Sequence, residues 1–179
     1  NGPRAHNPSL TSFTGPVHLA AADLLKRRGD PPVLFCRSME RDEAARTGLQ
    51  SQTIDAYKPL ELLEQAGGDA SRQRAMLYQR MCADLGIRGR LAVTGHTDLG
   101  LGFAALQHFQ ALVPELEIVG AVGNLDVITR ARATKDADEV ARIRQMGKVT
   151  TGVTADVADF LTAHRVRNGV LIDQQGEVL

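Results

Sequence analysis

Arg90-Leu91-Ala92-Val93-Thr94-Gly95 reads as a strand, residues 99–112 as a helix stopped by Pro114, and Glu117-Ile118-Val119-Gly120-Ala121-Val122 as a second strand. Short apolar runs rich in Val and Ile and bounded by Gly favour extended chain. The longer Leu- and Ala-rich stretch between them favours helix. Strand, helix and strand in this order form a βαβ unit, and this predicts an α/β fold. If the two strands are parallel, their crossover is right-handed. The composition agrees. The 179 residues are 43% apolar but only 4% aromatic and hold no Trp. The core is therefore built from Leu, Val, Ile and Ala, which suits helices packed on a sheet.

On the amino-terminal side, Gly86 ends a long amphipathic helix that Asp69 caps, with Ala75, Met76, Leu77, Met81, Cys82 and Leu85 at helical spacing. Before it lie a Pro59-initiated helical turn ending at Gly67-Gly68, a short strand at Thr53-Ile54, and a helix over 39–47. Ser38 is the expected N-cap of that helix. Glu40, Asp42 and Glu43 stand at its positive end, and Gly48 stops it. Pro32-Val33-Leu34-Phe35-Cys36 is a strand entered through the turn Arg28-Gly29-Asp30-Pro31-Pro32. Residues 18–28 suit a helix by their Ala and Leu content and the first arm of a β-hairpin by the turn that follows. Asn7-Pro8-Ser9-Leu10-Thr11-Ser12-Phe13-Thr14-Gly15-Pro16 reads as a short strand closed by a Gly-Pro turn.

On the carboxyl side the pattern changes near 132–136. Asp136-Ala137-Asp138-Glu139 fits an acidic capping box, and a helix is expected over 137–163. Val140, Ile143, Met146, Val149 and Val153 form one stripe on it. Gly147 and Gly152 interrupt it, which suggests tight packing against a neighbour or a break. Asn168-Gly169 turns the chain into Val170-Leu171-Ile172. The helix and this strand start have nothing after them to bury against, so the chain is expected to be the front part of a longer one.

Twenty-one Lys and Arg balance twenty-one Asp and Glu, which favours neither nucleic acid nor an anionic membrane. The apolar runs are far shorter than the roughly 20 residues of a membrane span. The start, Asn1-Gly2-Pro3-Arg4, has neither the apolar core of a signal peptide nor an initiator Met. Cys36 and Cys82 form no CxxC pair and read as buried, reduced thiols of a cytoplasmic protein.

Candidate chemistry is sparse. His6, His18, His96, His108 and His164 include no pair at metal-ligand spacing. Gly100-x-Gly102-x-x-Ala105 matches a dinucleotide fingerprint whose amides would hold a pyrophosphate. However, Gly95 already ends the strand, no acidic residue closes the next one, and Asp98 reads better as a helix cap. Cys36 with Arg37 and His18 is a possible nucleophile set. Glu40, Asp42 and Glu43 read as a solvated first turn, with an intersubunit or interdomain contact as the alternative.

Three segments together resemble the amino-terminal domain of the creatinase/prolidase/Xaa-Pro aminopeptidase family. Asn7-Pro8-Ser9-Leu10 with Phe13-Thr14-Gly15 is similar to that domain's N-x-x-Y-x-T-G strand, with the aromatic one place later. Ser38-Met39-Glu40-Arg41-Asp42-Glu43-Ala44 is similar to a segment that follows the second hairpin strand. Arg132-x-x-Lys135-x-x-x-Glu139-Val140-x-x-Ile143-Arg144 resembles the junction at which the amino-terminal domain meets the first long helix of the catalytic domain. The resemblance spans essentially the whole chain and favours the hairpin over residues 18–36. It implies a mixed β-sheet flanked by helices in a ribonuclease H-like arrangement over 1–134. It implies a linker and the first catalytic-domain helix over 135–179. The family's two divalent metals are bound by two Asp, one His and two Glu that would follow Leu179, so no catalytic, cofactor or metal residue is assigned here. The expected partners are the catalytic domain of the same chain and a second subunit in a homodimer. The role implied is to shape substrate access in a cytoplasmic, Xaa-Pro-directed hydrolase. The alternatives are a stand-alone binding or scaffold module and a nucleotide-binding βαβ domain using residues 95–105.

Overall fold

A computed structural model describes residues 7–123 and 126–179. The readings placed on residues 1–4 and on His6 lie outside the described residues. The chain divides into two compact units, Asn1–Arg132 and Ala133–Leu179.

The first unit is α/β, with a mixed sheet and a parallel sheet flanked by helices. Strand β1 (Ala22–Leu25) pairs antiparallel with β2 (Val33–Cys36), Ala22 opposite Cys36 and Leu25 opposite Val33. The hairpin is therefore the form adopted by residues 18–36. β2 runs parallel to β3 (Gln50–Thr53), giving the order β1-β2-β3. All four residues of β2 are buried. Successive side chains point to opposite faces, so β2 seeds two cores at once. Leu34 and Cys36 join Leu10, Val17, Leu19 and Ala44 on one face, while Val33 and Phe35 join Tyr57 and Met81 on the other.

The βαβ unit folds as its pattern predicts. β4 (Gly89–Val93) and β5 (Leu116–Gly120) are parallel, and α5 (Leu99–Leu112) connects them. Phe109, Val113 and Leu116 pack with Ala75 and Cys82 of α4 (Ala70–Asp84). The Phe109 ring meets Tyr78 edge-on, with centroids 5.7 Å apart. Asp69 caps α4 by accepting from the Ser71 and Arg72 amides at 2.8 and 3.2 Å. Gly86, at φ +58°, takes the left-handed conformation that ends this helix. α3 (Pro59–Gln65) begins at Pro59 as expected.

Three local readings are corrected. Residues 7–16 are not a strand. Pro8–Thr14 is a helix, α1, because Asn7 Oδ1 accepts the Leu10 amide at 3.1 Å and Pro8 supplies a helical φ at the first position. Its hydroxyls bond back to carbonyls four residues earlier, such as Ser12 Oγ to Pro8 O at 2.9 Å. Ser38 is not an N-cap. It opens a 3₁₀ turn, Ser38–Glu40, and its hydroxyl donates to Asp55, leaving only Arg41–Ala45 as the α-helix α2. Ile54 does not extend the third strand. It starts a second 3₁₀ turn, Ile54–Tyr57, that brings the Tyr57 ring to Phe35.

α6 (Val127–Ala133) lies at the boundary between the units. The second unit starts with α7 (Ala137–Ala163), whose capping box is complete: Asp136 Oδ1 accepts the Glu139 amide at 2.8 Å and Glu139 Oε2 accepts the Asp136 amide at 3.1 Å. β6 (Arg165–Arg167) and β7 (Val170–Ile172) form a hairpin through Asn168 and Gly169, both at positive φ, the geometry an Asn-Gly turn favours. Gly147 and Gly152 face open space: a Cβ added at either meets nothing within 4 Å. No helix of the described residues is long and apolar enough to cross a membrane.

Candidate functional site

The acids after β2 act as a staple and are not a freely solvated first turn. Glu40 accepts the Ala20 amide, and Glu43 accepts the His18 amide at 2.9 Å and the Arg46 guanidinium at 2.6 Å. Val17 and Leu19, on either side of His18, are buried against β2. The carboxylates thus pin a strandless stretch whose amides would otherwise lack partners. The second oxygen of Glu40 is enclosed without a hydrogen-bond partner among the described residues. Asp42 stays exposed.

The hydrogen bonds from His18 and Arg46 hold the Glu43 carboxyl below its ordinary range. Its folded pKa is lower than its unfolded one. The staple therefore stabilises above the usual carboxylate pKa and is lost as pH falls through the lowered value. The protection of the His18 amide, relative to a free amide at the same pH, is expected to be high at pH 7 and to fall as pH drops through the lowered Glu43 value. In Glu43→Gln that protection should start lower at pH 7 and lose most of its pH dependence. Equal exchange in the two proteins at pH 7 would refute the staple.

The nucleophile set around Cys36 does not assemble. The thiol donates to Gln52 O at 3.8 Å. Burial, and then the nearby Glu40 carboxylate, push its pKa up, so it stays a thiol. Burial likewise pushes Cys82 up to about 11. Both cysteines are free and buried.

The fingerprint glycines lie inside α5 and serve packing. Asp98 Oδ1 accepts the Leu101 amide at 2.8 Å and sits 3.4 Å from where a Gly100 Cβ would stand. A carboxylate thus occupies the helix entrance that a pyrophosphate would need. A Cβ on Gly102 would lie 2.6 Å from Thr97 Cγ2, so this glycine admits the Thr97 methyl. His108 lies 3.9 Å from Asp69, and His164 stacks on Phe160 at the end of α7. Among the described residues no three His, Cys, Asp or Glu side chains converge as metal ligands.

Two features escaped the sequence reading. Asp23, on β1, is pushed up by burial against the pull of Arg74 and of a 3.5 Å bond from the Tyr78 hydroxyl. Nothing local marks it, because Tyr78 is 55 residues away in sequence. A cavity of about 50 Å³ lies between α1, β1 and α6, lined by residues including Leu10, Phe13, Leu24, Thr94 and Ile128. It holds about one or two waters and is too small for a metabolite.

In the second unit the distinctive surface is one face of α7. Ile143, Met146, Val149 and Val153 are 54–62% exposed, and Val157, Phe160 and Leu161 continue the stripe. At 1.5 Å per residue it runs for roughly 27 Å, more apolar length than an isolated helix normally leaves in water. A polar hollow of about 480 Å³ lies beside the hairpin, but Asp173, on its wall, already spends its carboxylate on the Gln175 and Glu177 amides.

No known protein family, curated protein or solved structure matches the chain.

Proposed function

We propose that this chain is the amino-terminal accessory part of a creatinase/prolidase-like, Xaa-Pro-directed metallohydrolase. Unit 1 shapes substrate access and supports a homodimer, and unit 2 opens the catalytic domain. The observation that carries this reading is the coincidence of the Arg132-to-Arg144 junction pattern with a capped helix whose apolar stripe lies open. An N-cap that binds Glu139 back to Asp136 starts α7 within the stretch that carries that pattern. The exposed Ile143, Met146, Val149 and Val153 are what a helix presents when it is built to be covered. Gly147 and Gly152, which face open space in this chain, then become the close-approach points for that cover.

We read unit 1 as ribonuclease H-like. Supporting this are the antiparallel β1 beside parallel β2 and β3, the parallel pair β4 and β5, and the placing of Leu24 of β1 and Thr94 at the end of β4 on one small cavity. The two metals, and the Asp, His and Glu side chains that hold them, belong to the catalytic domain. The residues described here contribute positioning and no chemical step.

The test is hydrolysis of Xaa-Pro peptides by the full product of the gene and by residues 1–179 alone, with manganese, cobalt or zinc added. The full product is expected to release the residue before proline and to lose that activity to a chelator, while the shorter chain binds no stoichiometric metal and releases nothing. Cleavage by residues 1–179 alone, or no metal-dependent Xaa-Pro cleavage by the full product, would overturn the reading.

A further inference from the structure

β5 is the last strand of its sheet among the described residues, so its outer side is an open edge. Groups on alternate residues of a strand point to opposite sides. The Ala121 amide donates to Val93 O of the β4 strand end at 2.8 Å, which sets the inward side. Leu116, Ile118 and Gly120 therefore direct their backbone groups outward. Such an edge is a template for a second strand, and proteins guard it with charges, prolines, bulges or a covering element. β5 has none of the usual guards at its centre: Ile118 and Val119 are apolar, and no proline lies within it.

Gln110, from α5, stands at this edge. Its Nε2 donates to Leu116 O at 2.7 Å and its Oε1 accepts the Ile118 amide at 3.2 Å. One primary amide thus satisfies a carbonyl and an N–H two residues apart, the same pair that the N–H and C=O of one residue in an incoming parallel strand would take. Beyond it, the Val122 amide folds back on Gly120 O at 3.0 Å and ends the edge. Among the described residues, only Ile118 O and Gly120 N–H are left between these two closures, too little for a ladder.

We propose that Gln110 is an edge latch, a side-chain surrogate for a neighbouring strand that keeps β5 from pairing with β5 of a second copy. The inference rests on this hydrogen-bond pattern alone and is independent of the proposed catalytic partner. The latch sits on a helix that packs on the strand it guards, so it costs no extra chain.

The test compares the chain with Gln110→Leu, close in size but without an amide. Two readouts are taken: amide exchange at Ile118, and the weight-average mass by sedimentation over a range of concentrations. The variant is expected to exchange Ile118 at least about tenfold faster at low concentration, since one hydrogen bond of ~1.4 kcal/mol corresponds to that factor. It is also expected to self-associate more strongly than the parent chain. Adding Gly120→Pro removes the remaining outward N–H at an edge position where proline is tolerated and a Cβ meets nothing within 4 Å. The double variant should return to the parent's association. Unchanged exchange at Ile118 in a folded Gln110→Leu chain would overturn the latch. Association that rises but survives Gly120→Pro would overturn its role in guarding β5.

Discussion

Phe109→Ala is expected to destabilise unit 1 by about 3–5 kcal/mol, the cost of removing a fully buried aromatic ring from a site that cannot collapse around the gap. Phe109 is 2% exposed and sits at the centre of the cluster that joins α5 to α4 and β5. Ala105 and Val113, four residues to either side, are buried on the same helix face, so neither small neighbour can fill the space. The edge-on contact with Tyr78 is lost as well, roughly another 0.5–1.5 kcal/mol of preference contained within that range. Domains of this size are stable by only about 5–15 kcal/mol, so the variant should unfold at distinctly lower urea, followed by far-UV circular dichroism. Because the chain comprises two units, amide exchange should show the loss confined to unit 1. A midpoint within experimental error of the parent would mean that α4 and α5 do not share the core described here.

Leu34→Asp is expected to abolish folding of unit 1 at neutral pH. Leu34 is 0% exposed, on the face of β2 that meets Leu10, Val17, Leu19 and Ala44. Deleting the side chain alone would cost about 2–5 kcal/mol, and a carboxylate adds its desolvation with no cation in the cluster to meet it. A buried aspartic acid has its folded pKa raised, so the folded state binds more protons and the penalty shrinks as pH falls. The gap between Leu34→Asp and the parent should therefore narrow from pH 7 to pH 4, while Leu34→Met stays within about 1.5 kcal/mol throughout. A folded Leu34→Asp chain at pH 7 would place Leu34 outside the core and dismiss the two-sided burial of β2.

Much of this architecture was legible because its signals are local. The periodicity of residues 99–112, the stop at Pro114, the caps at Asp69, Asp98 and Asp136 and the Asn168-Gly169 turn each depend on chain within a few residues. Each was matched by the fold. The hairpin over 18–36 was harder, because its first arm is a fair helix by propensity and only pairing with Val33–Cys36 makes it a strand. Residues 7–16 failed for the opposite reason. Thr and Phe suit a strand, yet an Asn cap followed by Pro at the first helical position outweighed them.

The candidate sites were less legible. Glu40 and Glu43 read as solvated because helix-start acids usually are. Their partners, the amides of Ala20 and His18, are 20 and 25 residues away and come within reach only when β1 turns back along β2. Gln110 carried no sequence signal at all, since its meaning depends on which side of β5 is left unpaired.

By itself, then, the sequence determined the α/β class, the βαβ unit and the caps of α4, α5 and α7, because these follow from periodicity and capping within a turn or two of chain. Tertiary structure alone decided which acids are stapled, that the Ser38 hydroxyl turns to Asp55, and that one glutamine closes the β5 edge. Those outcomes depend on burial and on partners distant in sequence, and both are set only when the strands find their neighbours.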